Sequence, residues 1–532
     1  MSHPMLFRAG TRGSGPVRLK RMSLSGLLVL LFVFTLLVAG QVPGAQAAQT
    51  SGGTITVLEN STVFGTWPGL DPATDTSALA NQDYLNSIYG GLFQRTKTGI
   101  IPDLATGYKL ASNLKTVTIH LRHGVVFSDG TPFNASAVAY SIKRDLEPQY
   151  ACICRPNFPI ASITTPDAYT VVLHLTEPYG PIINAFPGEA PNYIVSPTAL
   201  QKMGEKAFAL TPVGAGPFVV TSDAPSSKLV LKANPHYWQR GYPKLSGLTF
   251  VTVGSDQSAY AALLAGQAAV YQNFSTFTLI PQIRRQHQVR LVPVVPGSAP
   301  YTFQLNTTKP PFNNMVAREA MYYALDPAAI NKALFAGLAT PTESLTGPGD
   351  LFYEPKVPNY RTYNPAKAKA LVKQLGGLTI TLSVGQTEQQ IGVALKSELA
   401  QVGIQTSLVV ANLPTELQDY NSNNWESDLT LAGSYDPALG LGLSFRFASH
   451  APTTGVHDPA LDALINEGAS TANPKARASI YHRAFRYISD HAYAPVLFST
   501  PLYNLAAQGV TGPGISVPGP QIRWEDVTKQ TS

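Results

Sequence analysis

Three short motifs in this chain could do acyl-transfer chemistry if they met in space: Ser112-x-x-Lys115, Ser422-x-Asn424 and Lys97-Thr98-Gly99. A serine nucleophile with lysine partners is the working set of penicillin-binding enzymes. Here Lys97 comes before Ser112, which is the wrong order, so the matches are set aside as chance. No Gly-x-Ser-x-Gly elbow, no His-Glu-x-x-His pair and no Gly-x4-Gly-Lys-Ser/Thr phosphate loop occurs. His450 and His457 flank a Pro-Thr-Thr-Gly loop, but no third ligand stands near them in sequence, so they read as solvated and not as a metal site. Cys152 and Cys154 are one residue apart, without the Cys or His cluster that zinc needs. They read as loop thiols or one local bridge. The carboxylates are too scattered to name an acid–base pair. The missing motifs move weight from an enzyme toward a binding protein without a cofactor.

The elements that would position such residues are short and alternate in type. Runs at 54–58, 116–121, 170–175, 228–232, 248–253, 379–384 and 405–410 are rich in Val, Ile, Leu and Thr, as strands require. Asn364-Pro365 predicts a capped helix start. Ala368, Leu371 and Leu375 follow on one face, and Gly376 stops the helix. Thr387-x-x-Gln390 predicts a capping box ahead of Ile391, Leu395, Leu399 and Val402. Asp326-Pro327, Asp458-Pro459 and Asn473-Pro474 repeat the cap-then-proline start. Residues 364–410 therefore read helix, strand, helix, strand, which is α/β organisation. The 43 Gly and 43 Pro are scattered, so no flexible linker divides the chain.

Charge and leader bound the partners. The pI near 9.0 suggests nucleic acid. However, Arg8, Arg12, Arg18, Lys20 and Arg21 stand in the first 47 residues with no acid among them. The rest holds 33 basic against 32 acidic residues, so the body offers no electrostatic case for a phosphate backbone. The basic stretch, the apolar run at 24–40 and Ala45-Gln46-Ala47 predict a signal peptide over 1–47. An uncleaved membrane tether is the alternative. No cysteine follows the run to accept a lipid. The expected place is the periplasm, the cell surface or the medium.

Ordered segments then carry a resemblance. YGGL at 89–92, PDLA at 102–105, Leu121-Arg122 and FSDGTPF at 127–133 occur in that order. GAGPFVV begins at 214 and NPHYWQRGYPKLSGLTFVTV ends at 253; LNTTKPPFNN begins at 305, YNPAKAKALVKQLGG at 363 and DPALDALINEG at 458. Together they resemble the extracellular solute-binding proteins of family 5, the peptide- and nickel-binding proteins of ABC importers. The resemblance implies a three-lobed α/β periplasmic-binding fold of type II, with discontinuous domains, a hinge and an interlobe cleft. Lobe I would hold 48–88, 191–298 and 490–532, lobe II 89–190, and lobe III 299–489. A monomer would close on its ligand and dock on a membrane ABC permease. Arg122 and Asp129, inside the longest motif, are expected to serve the fold.

The same resemblance places the candidate ligand contacts. Peptide-binding members pair the ligand ammonium with an aspartate four residues before a proline. Here that position is Gly433, followed by Ser434 where the family has tryptophan. Peptide therefore stands first among solutes, with an oligosaccharide or nickel chelate beside it. A secreted hydrolase and a signalling co-receptor are the readings of other classes. Tyr435, Asp436, Phe445 and Arg446 lie in the stretch that lines the cleft in relatives. Asp436 could pair a cation and Arg446 a carboxylate. The alternatives are a turn aspartate and a solvated arginine. Trp67, after the first strand, and Trp425, among polar residues, are aromatic wall candidates, with packing as the alternative for each.

Overall fold

The expected strands form, most of them longer than the apolar run that predicts them. The computed structural model describes residues 52–530, except 61–68, 75–77, 97, 151, 153, 295–298, 432–434, 441, 452 and 517–522. Three sheets carry the architecture. The first has seven strands in the order Val289–Val294, Leu502–Ala507, Val270–Phe274, Gly52–Asn60, Leu245–Val253, Lys228–Ala233 and Phe218–Ala224. Gly52–Asn60 at its centre runs parallel to both neighbours. The second has six strands in the order Thr340–Pro341, Val496–Ser499, Tyr301–Leu305, Ser427–Leu431, Leu378–Gly385 and Ile404–Ala411. Leu378–Gly385 is parallel to Ile404–Ala411 and to Ser427–Leu431. The third, Ala105–Leu110, Thr116–Leu121, Thr170–Leu175 and Ile160–Asp167, is antiparallel throughout.

Alternation explains the second sheet. Leu378, Ile380, Leu382 and Val384 are buried while the residues between them are partly or fully exposed. Helix Gln389–Gln401 lays Ile391, Leu395 and Leu399 on that face. Gly392 lets it approach closely, since a Cβ there would lie 2.9 Å from side chains of Leu408 and Val384. The cap-then-proline starts form as read. Asn364, Asp326, Asp458 and Asn473 each accept a hydrogen bond from a backbone N–H of the first turn.

Two expectations fail locally. The capping box at Thr387 does not form. A 3-10 turn covers Gln386–Glu388, the helix starts at Gln389, and Thr387 Oγ1 turns to Glu388 instead. The boundary at 490 also misses a strand. Val496–Ser499 falls in the stretch assigned to lobe I, yet it pairs with Tyr301–Leu305 and Thr340–Pro341 of the second sheet. Its four residues are all buried there. The chain returns to the first sheet only at Leu502. Cys152 and Cys154 are joined as a local disulfide.

The long motif serves packing, as expected. Asp129 accepts from the Thr131 amide at 2.9 Å and from Ser196 Oγ at 3.0 Å, closing the turn at Gly130. Arg122 donates twice to the Asp103 carbonyl and stacks on Trp238 at 3.8 Å. The helix that follows, Ala135–Asp145, brings Arg144 to Asp71 in a buried two-bond pair at 2.6 and 2.7 Å.

Asp145, beside that pair, is buried with both carboxylate oxygens unpartnered. Burial holds its carboxyl well above the usual range. The unfolded chain releases this proton near pH 4, so the folded state loses stability as pH rises beyond that. Asp145→Asn is expected to raise stability at about pH 7 by about 1–2 kcal/mol. The gain should vanish near about pH 4, and urea melts at the two pH values check it.

Candidate functional site

In open α/β sheets ligands sit beyond the carboxyl ends of the parallel strands. Both large sheets end there in buried polar clusters. In the first sheet, Glu59 closes the central strand and Gln272 lies in its parallel neighbour. Gln272 Nε2 donates to Glu59 at 3.1 Å and to Asp83 at 2.6 Å. Burial pushes the Glu59 carboxyl well up and Asp83 to about 6, so the two acids hold a proton between them near neutrality. Asp256 accepts from the amides of Ser275 at 2.8 Å and Thr276 at 2.6 Å, and so fixes the turn after Val270–Phe274.

The second sheet ends in a cluster of mixed sign. Arg446, in the helix Leu443–Phe447, donates to Tyr420 Oη at 3.1 Å and to Thr430 Oγ1 at 2.6 Å. Its side chain is buried and, among the described residues, it makes no ion pair and its Nε has no hydrogen-bond partner. Tyr420 Oη in turn donates a hydrogen bond to Asp428. Glu388 and Glu416 close over Gly385 at the strand end. A Cβ on that glycine would strike the Glu388 carboxylate and stand 3.3 Å from Glu416. Burial raises the Glu388 carboxyl, and burial with the charges of Asp428 and Glu388 raises Glu416 to about 7. Burial raises Asp428 to about 6, against the pull of Arg446. Among the described residues, no group of three or more His, Cys, Asp or Glu is arranged to hold a metal ion.

The residues singled out from sequence scatter over this landscape. Trp67 lies outside the described residues. Trp425 is buried and packs edge-on against Tyr420 at 5.5 Å, with its indole N–H unpartnered. Tyr435 lies flat under the Arg95 guanidinium at 4.1 Å. Arg95 in turn reaches Asp350 at 3.0 Å. Phe445 is half-buried with the Arg446 guanidinium 5.2 Å from its ring. Asp436 differs from expectation. Arg477 grips both its oxygens at 2.8 and 3.0 Å, and Asn184 donates to it at 2.8 Å. The role of pairing a ligand cation therefore meets a carboxylate already taken by the protein's own arginine. Arg446 also differs, being enclosed where the simpler alternative had it solvated.

A sequence model described as bacterial extracellular solute-binding proteins, family 5 Middle, matches residues 99–442. The chain belongs to this family. Among curated relatives, the glutathione-binding protein GsiB of Salmonella choleraesuis (strain SC-B67) is 33% identical over 350 residues. That match covers 64% of this chain and 66% of the relative, just short of two thirds of its length. GsiB of Escherichia coli (strain K12) is 32% identical over 352 residues, with 64% of this chain and 66% of that protein covered. Solved structures give the fold. DppA from Helicobacter pylori, in complex with the peptide STSA, superposes with TM-score 0.77 at 22% identity, over 91% of this chain and 99% of that one. AgaA from A.tumefacien R10, in complex with agropinic acid, gives 0.76 at 23%, over 90% and 99%. The fold is the type II periplasmic-binding fold.

Within this family 5 chain, sequence reasoning missed Glu388, Glu416, Tyr420 and Asp428. For Glu388 and Glu416 the available signal was their place a few residues after the runs at 379–384 and 405–410; Tyr420 and Asp428 had no such signal. It missed Arg477 as well, because that residue lies 41 positions from Asp436. Removing Arg477 strands a buried carboxylate, so Arg477→Met is expected to cost about 3–5 kcal/mol in urea unfolding. The double variant Asp436→Asn with Arg477→Met should recover most of that loss.

Proposed function

We propose that this chain is the exported solute-binding subunit of an ABC importer. It captures a peptide between lobes I and III and presents the closed form to a membrane permease. The carrying observation is Arg446: a buried guanidinium with no carboxylate partner and a free Nε, beside raised carboxyls at Glu388 and Glu416. Among the described residues Arg446 makes no direct ion pair and neither does Glu388 or Glu416, so a direct anion for the cation and a direct cation for the acids are both open to a ligand. A peptide supplies both, with a carboxylate for Arg446 and an ammonium for Glu416 or Glu388. The polar ends of the two large sheets then form facing walls of the cleft. Asp436 holds the loop between them and leaves the ligand to others. GsiB is named for glutathione, itself a tripeptide, which supports a solute of this class. The family's role in capture, with no nucleophile–base pair in the cluster described, favours binding over hydrolysis.

Closure follows from differential affinity: a ligand that touches both walls stabilises the closed form by the contacts only that form makes. Mass spectrometry of molecules released on denaturing the purified protein should recover short peptides. Recovery of sugars or a metal chelate in their place would overturn the peptide reading and leave the family role standing.

The Glu416 carboxyl sits near 7, so it gains charge across neutrality. Affinity for a free peptide should rise about three- to tenfold from about pH 6 to about pH 8. In Glu416→Gln the rise should flatten. Calorimetric titrations at the two pH values check this, and an unchanged slope in the variant would remove Glu416 from the site.

A further inference from the structure

A second surface lies away from the polar cluster of the six-stranded sheet. No Asp or Glu occurs from residue 257 to residue 318. Within that stretch, Arg284, Arg285, His287 and Arg290 are all exposed. None of the three arginines makes an ion pair among the described residues. A protein whose remaining charge is nearly balanced thus concentrates positive charge at one place.

The place is a groove of about 510 Å³, walled by Arg284, His287 and Arg290 and floored by Ile283, Pro293 and Tyr503. Its frame is rigid. The Gln286 side chain donates to the carbonyls of Ile283 at 2.9 Å and Val289 at 2.7 Å. It accepts from the amides of Gln288 at 2.6 Å and Val289 at 2.9 Å. Arg290 is tied to the Val510 carbonyl at 2.6 Å. One side of the groove is Val289–Val294, the outermost strand of the seven-stranded sheet, which among the described residues pairs only with Leu502–Ala507. A strand edge beside apolar pockets is where an extended segment binds.

The groove also ends at the crossings between the two large sheets. Pro293 pairs with Tyr503. The chain passes from Val294 toward Tyr301–Leu305, and from Ser499 back to Leu502. Ring contacts run on from Tyr503 to Phe277 at 6.3 Å, Phe335 at 5.3 Å, Phe498 at 5.1 Å and Tyr301 at 5.8 Å. Tyr301 hydrogen-bonds Glu388 in the polar cluster of the second sheet.

We propose that this basic groove docks an extended acidic segment of a protein partner. Charge complementarity selects the acidic partner. The concave apolar floor favours a polypeptide segment over a lipid surface, because a planar headgroup layer does not reach Ile283 and Tyr503. Three arginines alone would hold a membrane with only about 1 kcal/mol each. The inference stands whatever solute the cleft takes.

The test uses the purified protein and a fluorescent, end-capped peptide of alternating glutamate and valine, read by anisotropy. Saturable binding is expected, weakening as salt rises from about 50 to about 300 mM. The R284E/R290E variant should bind about tenfold more weakly or worse, and the milder R284Q/R290Q variant should fall between. A lysine–valine peptide should not bind. Unchanged melting and unchanged release of the cleft's own small molecule show that both variants keep the fold. Equal binding of the acidic peptide by wild type and R284E/R290E would overturn the proposal. So would arginine-dependent sedimentation with vesicles of phosphatidylglycerol and phosphatidylcholine without peptide binding, since that result assigns the patch to lipid.

Discussion

The Arg477–Asp436 pair holds together the region on which the rest depends. Asp436 is fully buried, and a buried carboxylate persists only if its lone pairs are taken up. Arg477 comes from the helix Pro474–Asp490, Asp436 from the loop after Ser427–Leu431, and Asn184 from the part of the chain with the antiparallel sheet. Three stretches far apart in sequence therefore meet on one carboxylate. With that loop held, Tyr435 lies under Arg95 and its carbonyl accepts from the Leu351 amide at 2.8 Å. Asp350 then closes on Arg95. The contacts between these segments are polar and enclosed, so each partner depends on the others for its desolvation to be offset.

The polar clusters at the strand ends follow a different logic. They hold more carboxyl groups than cations, and burial keeps several of those carboxyls near neutrality in pKa. Groups so placed cost stability in an empty protein. Buried carboxyls with raised pKa values in a cleft are candidates for a functional site. Arg446 is the counterpart: its hydrogen bonds go to Tyr420, Thr430 and the Leu431 carbonyl, none of which is an anion. The basic groove beside the crossings is the opposite case. Its cations remain in water, where a charge without a partner costs little and stays available to a macromolecule.

Local structure was legible wherever one residue type answers to one local constraint. The runs at 116–121 and 170–175 are strands with those bounds, because alternation is read within the strand itself. The Asn-Pro and Asp-Pro starts are helix caps, because the bonding amides lie within three residues. The Thr387 box failed because a 3-10 turn over Gln386–Glu388 precedes the helix, which starts at Gln389 and leaves Thr387 outside the N-cap position. Val496–Ser499, inside the stretch 490–532 expected in lobe I, was not read as a strand of the six-stranded sheet. A fully buried strand shows no alternation, and its partner Tyr301–Leu305 lies nearly two hundred residues earlier.

Sequence alone determined the family, the fold class, the near-neutral body and the caps and strands, since each depends on composition, order or neighbours a few residues apart. Tertiary structure decided which charged side chains are free to act. Asp436 and Arg446 looked alike in the sequence, two ionisable residues in a stretch expected to line the cleft. Folding brought Arg477 to the first and, among the described residues, gave the second no direct ion pair. That difference depends on long-range pairing and on burial, which set whether a charge is offset, and neither is a property of the local sequence.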